Sequence, residues 1–409
     1  MAVKIVRQAN KIALLGAPTS AAAMSAGQEG APAALRAAGL VERLREIGYD
    51  VTDLGDDPVQ LFKPDDESPR ARNLTRVIAS LEALKPRVEQ AVKSSALPLI
   101  LSGDCSIALA TVAGARRYFR KVSMIYMDRD ADLNTPATTP SGCVDGMVVS
   151  HLTGRGAAEM VRFWGEPPLV REPDLALFGV ARLDPPEEQV LATSPVRRFM
   201  ATDVKRMGPA AAARTAIDRI KGNGYQFVLH FDVDVISDFP ATNYPGSGGL
   251  SLDEVREALL VFAQQKELAA FEVAAYNPTK DADGSGAKLI VDLLAELLGA
   301  RLEALKGSEV PVAAPSAAAA AAASSSQSSG ASSSSAGKTA EPHPEPELPA
   351  ATAGEAWSSE SLEESSDVSA EEPPEPESEA DADSDSDADS SDDDSGNSRA
   401  SEESSGSHS

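Results

Sequence analysis

Eight short β-rich runs recur between residues 11 and 275, and helical patterns fill many of the gaps between them. This alternation restricts the fold more than any other feature of the chain. The runs are KIALLGA (11–17), YDVTDLG (49–55), LPLILSG (97–103), VSMIYMD (122–128), DLALFGV (174–180), VRRFMA (196–201), QFVLHFD (226–232) and AAFEVAA (269–275). Several are continuously apolar rather than alternating, as strands covered on both faces are. Between them, Leu40, Leu44 and Ile47 share one helical face, and Leu74, Ile78, Leu81, Leu84, Val88 and Val92 step by three or four. Val255, Leu259 and Phe262 form a further stripe, and Ile290, Leu293, Leu294 and Leu297 another. Such stripes are core-facing helix surfaces. Strands and helices alternating over this length predict an α/β domain with a mostly parallel sheet.

The acidity of the chain does not belong to that domain. From Gly307 onward lie 24 of the 63 acidic residues but only 2 of the 37 basic ones, so the body keeps 39 acids against 35 bases. A nearly neutral body with no basic patch excludes nucleic acid as the expected partner. No 18-residue apolar run is present, so no transmembrane helix is expected, and the charged N-terminus does not read as a secretory signal. Two cysteines, Cys105 and Cys143, make no disulfide framework, and a reducing, cytoplasmic setting is expected. Residues 308–409 are Ala/Ser-rich, then Pro/Glu-rich, then a run of serines and acids. Such a segment buries too little apolar surface to offset its chain entropy. The expected organisation is a folded domain over 1–307 and a disordered tail over 308–409, either solubilising or open to a protein partner.

Three clusters fall where strands are expected to end. LSGDCS carries Asp104 and Cys105, YMDRDAD carries Asp128, Asp130 and Asp132, and HFDVDVIS carries Asp232 and Asp234. Open α/β sheets place ligands at the carboxyl ends of their strands. Residues i and i+2 of an extended chain point to one side, so each set of acids can converge. Converging buried carboxylates repel by on the order of several kcal/mol unless a counter-ion is present. Two divalent cations bridged by shared carboxylates would answer that repulsion. A salt-bridged loop built on Arg129, or a metal site altered by it, are the alternatives.

These segments resemble the ureohydrolase superfamily of arginase, agmatinase and formimidoylglutamase, most closely the arginase branch. The likeness runs through GAP (16–18), SGDCSIALATVAG, DRDADLNTPATTPSGCVDGMVVS, FGVARLDPPE, FDVDVISDFPATNYPGSGGLS and YNPTKD. The resemblance implies a three-layer α/β/α domain around an eight-stranded parallel sheet, assembled as trimers or hexamers. It implies two manganese ions per subunit and hydrolysis of a guanidinium or amidine carbon in an amino-acid-like or guanidino substrate. By position, Asp128, Asp132, Asp232 and Asp234 match four metal ligands of that family. Cys105 and Asp130 stand where it has histidines. Neither histidine of the body, His151 or His230, falls in a ligand slot. Asn134, Ser141, Asp184 and Glu187 match the amino-acid-binding side of the pocket. Cys143 replaces an asparagine of that group, and Asp145 occupies the proton-shuttle slot. Ala275 replaces the acid that grips the guanidinium.

The replacements change the chemistry. Five carboxylates and one thiolate carry six negative charges where four carboxylates and two imidazoles carry four. The extra charge makes a coordinated water less acidic. Arg129 is expected to point away from the acids, because neighbouring strand positions face opposite sides. Two readings follow: a metal-dependent C–N hydrolase with an altered centre, poor on L-arginine, or a non-catalytic relative that binds or regulates.

Overall fold

The structure is a computed structural model. It describes residues 6–119, 121–221, 225–307 and 310–311; apart from Val310 and Pro311, the expected tail over 308–409 lies outside the described residues. The main sheet is built from β1 (Lys11–Ala17), β2 (Asp50–Asp56), β3 (Leu97–Ser102), β4 (Val122–Met127), β5 (Leu175–Val180), β6 (Arg197–Met200), β7 (Gln226–Asp232) and β8 (Leu268–Ala274). Each expected run becomes a strand, with ends displaced by no more than one residue. The strand order is β2-β1-β3-β8-β7-β4-β5-β6. All seven pairings are parallel. Separately, Val6–Arg7 pairs antiparallel with Val310–Pro311.

Every residue of β3, β4, β5 and β8 is buried. Alternate residues face opposite sides, so both faces of the sheet are covered, which explains the unbroken apolar runs. The covering helices are α1 (Leu40–Glu46), α2 (Leu74–Lys93), α3 (Ala108–Arg116), α4 (Pro185–Thr193), α5 (Pro209–Ile220), α6 (Leu252–Ala263) and α7 (Ser285–Ala304). Helix α2 packs on α3, while α5, α6, α7 and α1 pack in series. The result is the expected three-layer arrangement. Helix α6 begins with a capping box in which Ser251 and Glu254 each accept the other's backbone N–H. It ends against buried Arg301 of α7, whose Nη1 donates to the carbonyls of Ala263 and Gln265 at 2.6 Å. Those donors satisfy carbonyl groups that a helix end leaves open. The edge strand β2 is mostly solvent-facing and acidic, a pattern that discourages further strand addition. No helix among the described residues is long and apolar enough to cross a membrane.

His151 sits in the short helix Val148–Leu152, away from the strand ends discussed below. Its Nε2 accepts the N–H of Ala157 at 3.1 Å. Burial holds its pKa down, from 6.5 to about 4. The unfolded chain therefore binds a proton between these values that the folded chain refuses. This contribution to stability is complete above pH 6.5 and is lost as pH falls toward 4. Its full size is about 3 kcal/mol by proton linkage. Denaturant unfolding of the wild type and of His151→Gln between pH 4 and 7 checks it. The difference between the two profiles should grow in the wild type's disfavour as pH falls, and a constant difference would contradict the assignment.

Candidate metal centre

The four central strands, β3, β8, β7 and β4, bring their carboxyl ends to one crevice. Asp128 follows β4 directly and its Oδ1 accepts the Asp130 N–H at 2.7 Å. Asp232 ends β7, and its Oδ1 accepts the Asp234 N–H at 2.7 Å. Each Asp-x-Asp is thus a side-chain-closed turn rather than a continuation of the strand. Asp104 fixes the loop after β3. Its Oδ2 accepts the Thr19 hydroxyl and the Ala22 N–H, both at 3.0 Å, and its Oδ1 accepts the Ser106 N–H at 3.2 Å. Gly103 allows this closeness, since a Cβ there would lie 1.8 Å from the Thr19 carbonyl oxygen. Asp104 is a structural cap, and it presents Cys105 to the crevice.

Cys105, Asp128 and Asp232 converge as expected, and a fourth residue joins them. One donor atom from each of Cys105, Asp128, His230 and Asp232 lies within 4.8 Å of the others. The Cys105 thiol donates to Asp232 Oδ2 at 2.9 Å. His230, which falls in none of the family's ligand slots, thus lies among these donors. It stands two residues before Asp232 on β7 and so faces the same side. The same rule that pairs Asp128 with Asp130 could have found it. Asp132, in contrast, enters neither candidate cluster. Its Oδ2 accepts the hydroxyl of Tyr126, and its backbone is left-handed at φ 51°.

A second cluster contains Asp128, Asp130 and Asp234. Arg129 reaches into it instead of pointing away. Its Nη2 lies 3.3 Å from Asp130 Oδ2 and 3.6 Å from Asp234 Oδ2, and the residue is only 6% exposed. Strand alternation fails here because β4 ends at Met127, before the turn begins. Gly246 makes room for the guanidinium, as a Cβ there would fall 1.4 Å from Arg129 Nη1. The other oxygen of Asp130 accepts Nε of Arg182.

Burial raises the pKa of Asp128 and of Asp232 well above the usual carboxylate range, and the charge of Asp232 or Asp234 respectively adds to it. Burial and Asp232 likewise raise the Cys105 thiol. Asp234 is pushed up to about 6 by burial and by Asp130, against the pull of Arg129. A dication among these groups would favour their charged forms instead. The first cluster fits such an ion on two grounds. Its donors are of ligand type and converge, and His230 Nε2 is buried without a hydrogen-bond partner among the described residues. The second cluster also offers converging oxygens, but a guanidinium already pairs with two of its acids.

Above the acids lies a cavity of about 500 Å³, lined in part by Asn134, Ser141, Cys143, Asp145, Asp184 and Tyr244. Asn134 Nδ2 donates to Asp184 Oδ2 at 2.8 Å. Asp145 Oδ1 accepts the Cys105 N–H at 2.8 Å, and burial, then the charge of Asp104, pushes its pKa up to about 8. Glu187, expected on the substrate side, does not line the cavity. Both its oxygens accept backbone N–H groups, from Leu133 and from Asp184, at 2.8 Å, and it closes the first turn of α4. Tyr244, which the sequence reading did not single out, lies 3.7 Å through its hydroxyl from the Cys143 sulfur.

A model of the Arginase family matches residues 10–299. The arginase of Bacillus caldovelox is 31% identical over 297 residues, covering 71% of this chain and 99% of that protein. The arginase of Bacillus subtilis (strain 168) is 30% identical over 294 residues, covering 71% and 98%. The crystal structure of arginase from Bacillus cereus aligns with a TM-score of 0.66 at 30% identity, over 71% of this chain and 98% of that one. Formimidoylglutamase from Bacillus subtilis shares the fold, with a TM-score of 0.58 at 19% identity over 72% and 87%. The chain belongs to the arginase family of the ureohydrolase superfamily.

Proposed function

We propose that this chain is a metal-dependent hydrolase of linear amidine or guanidine C–N bonds whose centre departs from that of arginase and which turns over L-arginine poorly. The observation that carries this reading is the convergence of Cys105, Asp128 and Asp232 at a cavity whose wall presents Asn134, Ser141 and Asp184. When bound, a divalent cation supplies a water acidified toward neutrality and a Lewis acid for the reacting group. Asn134, held by Asp184, and Ser141 offer polar groups to an amino-acid-like end of the substrate. Asp145 lies in the cavity beside Cys105, placed to pass a proton to the departing amine.

Ala275 supports the turn away from L-arginine. Without a carboxylate at that position, a guanidinium loses a charge-assisted fork. Cys143 offers only a weak hydrogen-bonding group where an asparagine would offer a strong one. The family resemblance also supports a homo-oligomer of three or six chains, a cytoplasmic location and a pair of manganese ions. The tail over 308–409 is proposed to meet a protein partner. A non-catalytic binding role is the second reading, and Arg129 between Asp130 and Asp234 is the observation that favours it.

Two experiments test the hydrolase. The double variant Asp232→Ala/Asp234→Ala should lose both bound metal and turnover while keeping its far-ultraviolet circular dichroism; unchanged metal content would refute the site. A panel of guanidino and formimino compounds, assayed on metal-loaded protein, should include one whose kcat/KM exceeds that of L-arginine by about 100-fold or more, the scale at which a missing polar contact discriminates. L-arginine as the best substrate would contradict the altered specificity. No turnover of any compound would favour the binding role.

A further inference from the structure

We propose that one thiophilic divalent cation of the zinc class is held by Cys105 Sγ, His230 Nε2, Asp128 and Asp232, and that the Arg129 guanidinium takes the place of a second cation between Asp130 and Asp234. This rests on the metal-site reading above and narrows it, putting one ion in place of the family's pair of manganese ions and naming a new ligand, a positioning residue and the metal class.

His230 carries the inference. Strand register sets Tyr126 of β4, His230 of β7 and Glu272 of β8 side by side. His230 Nδ1 lies 2.6 Å from Glu272 Oε1, and both residues are fully buried. A carboxylate only accepts, so Nδ1 carries the proton and donates it. The second oxygen of Glu272 accepts the Thr111 hydroxyl, which fixes the carboxylate in turn. The Tyr126 ring stacks on the imidazole at 4.3 Å and 8° and holds its plane. This leaves Nε2 with a free lone pair, buried and without a hydrogen-bond partner among the described residues. A buried polar atom left unpaired is costly to the fold. A histidine whose second ring nitrogen donates to a buried carboxylate is the usual arrangement of a metal ligand.

The donor set selects the metal. Thiolate and imidazole suit zinc-like ions, whereas manganese and magnesium prefer oxygen. Donors around a tetrahedral zinc ion sit roughly 3.3–3.7 Å apart, given bond lengths of about 2.0–2.3 Å. Four donors already within 4.8 Å of one another need only a small adjustment. The second cluster is different. Both oxygens of Asp130 are taken by guanidinium groups, one from Arg129 and one from Arg182. Arg129 is buried, permanently charged and accommodated by Gly246, so a dication there would have to displace it.

The test uses the full chain, purified without chelator, stripped, and loaded with zinc, cobalt or manganese. Metal content is measured per chain, and zinc affinity by competition titration. The wild type should hold about one zinc or cobalt. The cobalt form should show thiolate-to-cobalt charge-transfer absorption. His230→Gln and His230→Ala should weaken zinc binding by about 100-fold or more, and Glu272→Gln by about 10–100-fold with an altered cobalt spectrum but an unchanged metal-free melting temperature. Arg129→Ala should admit a second ion. Zinc affinity unchanged in His230→Gln, or Arg129→Ala remaining at one ion, would overturn the proposal. Should the His230 variants fail to fold, X-ray absorption of the zinc-loaded wild type decides. Sulfur and imidazole around zinc support the centre, and oxygen alone overturns it. Two manganese ions per chain with turnover would overturn this proposal and leave the hydrolase standing. No bound ion of any kind would overturn both.

Discussion

Mutual repulsion among the acids at the ends of β4 and β7 is the constraint around which the centre of this molecule is organised. Asp128, Asp132, Asp232 and Asp234 are all buried within two short stretches of chain. Each has a local partner for at least one carboxylate oxygen. Asp128 and Asp232 close turns on their own backbone, Asp132 takes the Tyr126 hydroxyl, Asp232 takes the Cys105 thiol, and Asp234 meets Arg129. A thiol and a guanidinium thus stand among the acids. The surrounding sheet, buried on both faces, supplies the apolar stability against which such a polar cluster is set.

Much of this was legible in the sequence. The eight strands showed because continuously apolar runs such as LPLILS and VSMIYM have few other uses in a chain of this length. The convergence of Cys105, Asp128 and Asp232 followed from their places at strand ends. What escaped did so for identifiable reasons. His230 lies outside the family's ligand positions, although the two-residue period of β7 runs back to it from Asp232. Arg129 departs from strand alternation because β4 ends at Met127 and a turn follows. Glu187 matched a binding motif, yet its carboxylate serves the backbone of α4 and Leu133. Its role depends on a neighbour 54 positions away, which spacing alone does not show. Asp145 read as an ordinary acid until its burial was known.

The comparison with arginases illustrates how fold and chemistry separate. The eight-stranded parallel sheet is the family's fold, and the groups at its strand ends carry the chemistry. Function is carried by such sites and not by the fold that holds them. Here the histidine on β7 and the arginine after β4 stand at the two clusters. One places a nitrogen donor beside Cys105, and the other places a fixed positive charge beside Asp130. The proposed centre draws on both, with one softer ion and an organic cation.

Anomalous diffraction from crystals grown with zinc would address this most directly. A single peak between Cys105, His230, Asp128 and Asp232, with the Arg129 guanidinium still against Asp130 and Asp234, is the result expected. Two peaks roughly 3.5–4 Å apart sharing Asp128 and Asp232, as two-metal hydrolase sites place their ions, with Arg129 displaced from the acids, would contradict it.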